Sequence, residues 1–177
     1  MRHPLTAAAS VLLLSLLPAV AAPAGAARES APQASIPAPP GGAASGYPLT
    51  VRDDSGTVVS LRSRPTRIVS LATHTDDILV DLVDPSRLLG VTAFAADPAI
   101  SNVAQQVRGV AHRLTLNVEV ILALQADLVF VALWSEADKV AQLRQAGVPV
   151  FVTRSPLEPD GIAATIRTVA RLVGESA

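Results

Sequence analysis

From residue 67 onward two patterns alternate along the chain. Nearly unbroken apolar runs occur at Arg67 to Leu71, Leu88 to Phe94, Leu128 to Ala132 and Val148 to Val152. Between them, apolar residues recur every three or four positions. A short unbroken apolar run reads as a strand buried on both faces, and its alternation with helical spacing reads as a parallel sheet covered by helices on both sides. The first helix is expected to take Thr75 or Asp76 as its cap, carry Asp77 at its positive end, run through Ile78, Leu79, Leu82 and Val83, and stop before Pro85. Asp97-Pro98 begins a short helix or turn. Residues 108 to 113 read as a loop holding His112 and Arg113, and a helix from Val118 to Leu124 follows an Asn117 cap. Ser135 caps a helix that reaches Gln145 and stops at Gly147. Pro159 to Val173 is a helix with Ile162, Ile166, Val169, Ala170 and Val173 on one face. Ahead of this region, Pro48 to Arg52 and Thr57 to Leu61 are short β-type runs joined by Asp53-Asp54-Ser55-Gly56, which predicts a hairpin.

The pattern before residue 47 is of another kind. Arg2 and His3 precede an apolar run from Leu5 to Val20, and small residues follow, with Ala24-Gly25-Ala26 as a cleavage site. That order is the order of a secretory signal peptide, expected over residues 1–26. Residues 27–46 are rich in Ala, Pro, Gly and Ser and predict a flexible linker. The folded part is therefore expected over residues 47–177, long enough for one domain with a real core.

Composition narrows the function classes. There is no cysteine, which excludes disulfides, a thiolate metal site and a lipid-modified N-terminal cysteine. The formal net charge of -1, with no clustered basic face, gives no sign of nucleic acid as a partner. A periplasmic or extracellular location is expected.

Parallel α/β sheets place their sites at the carboxyl ends of the strands. The loops expected there are Ala72 to Thr75, Ala93 to Asp97, Leu133 to Ser135 and Thr153 to Ser155, with His112 and Arg113 in the fifth. These loops supply the candidate ligand-binding residues His74, Phe94, His112, Arg113, Trp134 and Arg154. A histidine in a loop is either simply solvated or a contact to a metal centre or an anion. Trp134 reads as a lid on the core or as a flat surface for a conjugated ligand, and Phe94 reads more as core. Arg113 and Arg154 suit carboxylates. No catalytic arrangement is recognisable: the sequence holds no Gly-x-Ser-x-Gly elbow, no phosphate loop, no Gly-x-Gly-x-x-Gly after the first buried strand and no His-Glu-x-x-His.

The order and spacing of several segments resemble the substrate-binding proteins of ABC importers for iron siderophores, haem and cobalamin. These segments are Arg67-Ile68-Val69-Ser70-Leu71-Ala72, Asp77-Ile78-Leu79, Leu88-Leu89-Gly90-Val91-Thr92, Asp97-Pro98, Asn117-x-Glu119-x-Ile121-Leu122-Ala123-Leu124-x-x-Asp127-Leu128-Val129 and Leu143-x-x-Ala146-Gly147-Val148-Pro149-Val150. The leading hairpin fits the same pattern. The resemblance implies the N-terminal lobe of a two-lobed, helical-backbone binding protein, with the C-terminal lobe missing. It implies no enzymatic activity and no cofactor. It further implies a monomer that captures a ferric siderophore, haem or cobalamin and delivers it to a membrane permease. By position Glu119 matches the acidic residue that docks with the permease. His112 stands where haem carriers place an iron-ligating Tyr, and Phe94 stands where cobalamin carriers place an aromatic. The chain departs from the family at Thr73-His74, where Pro and a small polar residue are usual, and at Asp77, where Glu is usual. The competing expectation is a secreted protein-interaction module or enzyme on the same fold.

Overall fold

Within each central strand, successive side chains serve two different cores. Ile68, Leu128, Phe130 and Phe151 face one side of the sheet, while Val69, Val129, Val131, Val150 and Val152 face the other. Side chains of a strand alternate between faces, so an all-apolar run stays buried only if both faces are covered. The computed structural model describes residues 46–175. The expected signal peptide and the linker up to residue 45 lie outside the described residues.

Seven strands and four helices follow in order. They are β1 (Leu49–Arg52), β2 (Val58–Leu61), β3 (Ile68–Leu71), α1 (Thr73–Leu82), β4 (Leu88–Thr92), β5 (His112–Leu114), α2 (Val118–Ala123), β6 (Leu128–Ala132), α3 (Ala137–Gln145), β7 (Val150–Thr153) and α4 (Pro159–Val173). The last five strands pair in parallel in the order β5-β4-β3-β6-β7, while β1 and β2 form a separate antiparallel hairpin. Connections through β4 and β5 run to one side of β3, and those through β6 and β7 run to the other, so the chain reverses direction beside β3. Helices α1 and α4 pack together on one face with the apolar side of the hairpin; α2 and α3 cover the other.

The local chemistry explains most boundaries. Asn117 caps α2 by accepting from the Val120 N–H at 3.0 Å. Gly147 ends α3 at φ +84° and Gly174 ends α4 at φ +74°, a backbone region that favours glycine. Gly90 has a different reason: a Cβ there would stand 2.4 Å from Leu114 Cδ1, so the residue lets β5 pack closely on β4.

Five expectations are corrected. Helix α1 begins at Thr73, and its cap position is Ala72, without a side-chain bond. Thr75 and Asp76 are buried instead, because their oxygens find partners inside the fold. Strand β4 ends at Thr92, and Ala93–Ala96 turns as a 3-10 helix. Helix α3 starts at Ala137 after Glu136, while the Ser135 N–H closes a turn onto the Ala132 carbonyl. Strand β7 covers Val150–Thr153. The segment expected as a loop at His112 and Arg113 is strand β5, which takes its backbone pairing from β4, out of reach of local pattern reading.

One staple ties the hairpin to the sheet. The fully buried Asp53 carboxylate accepts from the Ser55 and Thr57 N–H groups inside the turn, and from the Val152 N–H on β7. It also receives Arg144 of α3 at 2.5 Å. Removing it leaves Arg144 without its counter-charge, holding only Thr57 Oγ1 and the Val150 carbonyl, and takes away the acceptor of three backbone N–H groups. Asp53→Ala is expected to lose about 3 kcal/mol of stability, read as a lower urea midpoint.

Candidate functional site

The carboxyl ends of β3, β4, β5 and β6 border an open cleft of about 560 Å³. Its floor and sides are mainly apolar, formed by Leu71, Ala72, Leu114, Leu116 and Ile100. Phe94 and Trp134 stand at the cleft with 56% and 81% of their surface exposed. Neither acts as a lid on the core. The turn after β4 carries Phe94 outward, and Trp134 leaves β6 where the strand ends. Two large aromatic faces left in water and continuous with an apolar cleft have the character of a ligand surface, since contiguous apolar exposure marks binding grooves where single exposed side chains do not. The polar lining consists of Thr73, Thr92, Thr115, Ser135 and one carboxylate, Glu136.

The other residues expected at the site lie elsewhere. His74 is half-buried against the end of β7, its Nε2 3.2 Å from Thr153 Oγ1 and its Nδ1 3.1 Å from Ser155 Oγ. Burial pushes its imidazole below the ordinary value, while Asp77 and Asp54 pull it up. Arg154 is exposed just past β7, and its backbone N–H donates to Asp54. His112 is exposed on β5 at the level of Gly90, short of the carboxyl edge, so the two histidines do not share one edge. The Arg113 guanidinium donates to the carbonyls of Val107, Val110 and His112, closing the loop that leads into β5. Of the six candidate ligand residues, Phe94 and Trp134 are brought together on this cleft. Glu119 is exposed in the first turn of α2, with the partly exposed Val120 and Leu122 beside it. Among the described residues, no group of three His, Cys, Asp or Glu side chains could hold a metal ion.

Local pattern reading passed over a polar cluster directly beneath the cleft. Ser70, Thr75, Asp76 and Thr92 are all buried. Thr92 Oγ1 donates to Asp76 Oδ2 at 2.6 Å. Ser70 Oγ lies 2.7 Å from Thr75 Oγ1, which donates to the Ala72 carbonyl at 2.8 Å. The visible signal was Ser70, a hydroxyl inside an otherwise apolar strand, which requires a buried partner. Burial pushes the Asp76 carboxyl up to about 6, Asp77 adds to the rise, and the nearby Ser70 hydroxyl and the hydrogen bonds from Thr92 only partly oppose it.

Comparison with known proteins gives this cleft its setting. The family described as periplasmic binding protein matches residues 68–177. The chain belongs to that family. A cobalamin-binding protein of Halobacterium salinarum is 31% identical over 169 residues, 96% of this chain and 45% of the relative. An ABC transporter substrate-binding lipoprotein of Bacillus subtilis, YvrC, itself uncharacterised, is 29% identical over 108 residues, 59% of this chain and 33% of the relative. The chain spans less than half the length of these curated relatives. Among solved structures, the heme binding protein HmuT superposes with a TM-score of 0.58 at 23% identity, over 72% of this chain and 41% of its own. Helicobacter pylori CeuE with Ni(II) bound gives a TM-score of 0.60 at 17% identity, over 73% and 44%. These likenesses bear out the expected fold, a parallel α/β sheet with a leading hairpin. The matched family is described as periplasmic, and the curated relatives are named as binding proteins rather than as enzymes. No helix among the described residues is long and apolar enough to cross a membrane.

The buried Asp76 gives a pH dependence of unusual sign. Its carboxyl titrates near 3.8 when unfolded and near 6 when folded. Between those values the folded chain holds a proton that the unfolded chain has lost, so stability falls as pH rises through this window. Asp76→Asn removes that slope. Relative to the variant, the wild type should gain about 2–3 kcal/mol between pH 7 and pH 4, read from urea midpoints at each pH.

Proposed function

We propose that this chain forms one wall of the binding cleft of an ABC-importer substrate-binding protein whose cargo is a metal chelate, passed on to a membrane permease. A corrinoid such as cobalamin is favoured over haem and ferric siderophores. The observation that carries this is the lining: two exposed aromatic faces over an apolar floor, with no histidine, tyrosine or methionine among the lining residues. Such a surface stacks against a large conjugated or apolar ligand and leaves the metal's coordination sphere to the chelate. A haem whose iron needed an axial ligand from this chain would find His112 off the cleft. The similarity to the Halobacterium salinarum protein supports the same ligand class.

Glu119 is proposed to dock with the permease. It stands on the outer side of α2 with Val120 and Leu122, away from the cleft lining. It also complements the positive end of its own helix, and the two roles are compatible. Residues 1–26 are proposed as a cleavable export signal and residues 27–46 as a tether to the domain.

A single open wall leaves one face of the ligand in water, so this chain alone is expected to bind weakly. Equilibrium dialysis against cyanocobalamin, haemin and a ferric siderophore checks the assignment. Cyanocobalamin should be retained best, with a dissociation constant weaker than micromolar, and Phe94→Ala or Trp134→Ala should each weaken it about tenfold, or about 1.4 kcal/mol. Preferential retention of haemin that is lost in His112→Ala would reverse the choice of ligand. For the docking role, Glu119→Arg in the importing cell should lower uptake of labelled ligand while dialysis affinity stays unchanged; undiminished uptake would count against it.

A further inference from the structure

A carboxylate buried under an apolar cleft is costly to keep ionised, and among the described residues no cation pairs with Asp76. Its oxygens are used on Thr92: Oδ2 receives the hydroxyl at 2.6 Å, and both oxygens lie 3.3–3.4 Å from the Thr92 N–H. Thr92 is the last residue of β4 and lines the cleft. The Ala93–Ala96 turn that carries Phe94 starts at the next residue. Asp76 itself sits in the first turn of α1, whose leading residues Ala72 and Thr73 also line the cleft. One side chain thus joins the two elements that shape this end of the floor.

We infer that Asp76 is a positioning residue of the cleft, acting through Thr92 to set the stance of the Ala93–Ala96 turn and so of the Phe94 wall. When ionised, the carboxylate accepts from the Thr92 hydroxyl and N–H together. When protonated, one oxygen becomes a donor and only the other accepts at full strength, so the hydroxyl and the N–H of Thr92 compete for it and the pull on the N–H weakens. The contact between α1 and the end of β4 therefore differs between the two forms.

The groups facing Asp76 make the change its own. β3 and β4 present the hydroxyls of Ser70 and Thr92, and the Ala93–Ala96 turn carries no titratable side chain. On α1 the charge that acts on Asp76 is Asp77, of the same sign. His74 acts on Asp77, one residue further along. Helix α4, packed along α1, carries Asp160, Arg167 and Arg171, all exposed and none among the charges acting on Asp76. The switch is expected near the value of about 6 to which burial raises this carboxyl. Its relevance to capture rests on the cleft being the binding site, but its test needs no ligand, so the two can fail separately.

The experiment places a reporter on the turn. In the full chain, Phe94→Trp combined with Trp134→Phe leaves a single tryptophan at position 94. Its emission and anisotropy are followed from pH 4.5 to 8, with circular dichroism confirming that each variant is folded. A transition near pH 6 is expected, abolished by Asp76→Asn and by Thr92→Val and kept by Thr92→Ser, which retains the hydroxyl. A reporter that stays flat over this range would overturn the inference. So would a transition that persists unchanged in Asp76→Asn, which would belong to another group. Persistence in Thr92→Val would remove Thr92 as the route.

Discussion

Strand β3 lies between β4 and β6 with every residue buried, and the rest of the domain depends on that placement. Burying a strand on both faces requires cover on both sides of the sheet and paired neighbours on both edges. Helices α1 and α4 supply one face and α2 and α3 the other. The chain reverses direction beside β3, so the loops leaving β3, β4, β5 and β6 splay apart at the carboxyl edge. The cleft is the space that this splaying opens.

The same constraint accounts for the polar cluster under the floor. Ser70 occupies the one polar position of β3, and nothing there reaches water. Thr75 answers it, Asp76 and Thr92 close the adjoining gap, and no buried side-chain polar atom among the described residues is left without a partner. Hydrogen bonding satisfies the carboxylate geometrically without supplying a cation, which is why its protonation equilibrium is displaced rather than quenched. Beneath the apolar hollow, this gives a hydrogen-bonded floor in which burial raises one carboxyl to about 6.

At the periphery, charge is used differently. Asp53 and Arg144 fasten the hairpin to α3 and β7. At the opposite end of the strands, Glu175 meets Arg64 and Arg87, and Arg87 also donates to the carbonyls of Pro65 and Val173. These pairs fix elements that contribute little to the sheet's own hydrogen bonding. The candidate site, in contrast, has a single carboxylate, Glu136, in its lining. Glu136 itself pairs with Lys139 at 2.7 Å, while the other ion pairs lie away from this lining.

The alternation of apolar runs with helical spacing was enough to place β3, β6, α2 and α4 and the hairpin close to their observed bounds, because burial on both faces leaves an unbroken local signature. The order of motifs was enough to indicate the family. Candidate residues were only partly legible. Trp134 and Phe94 were assigned to the right edge because they directly follow strands, but whether they face core or solvent depends on the elements opposite them. Position in a loop could not show that Arg113 spends its guanidinium on three nearby carbonyls or that His74 is held by Thr153 and Ser155. His112 and Arg113 form a strand only because β4 offers them backbone partners, and Asp76 loses its role as a cap only because Thr92 comes within reach from β4. Those outcomes come from pairings between residues distant in the chain, which local periodicity does not encode and which exist only once the sheet has assembled.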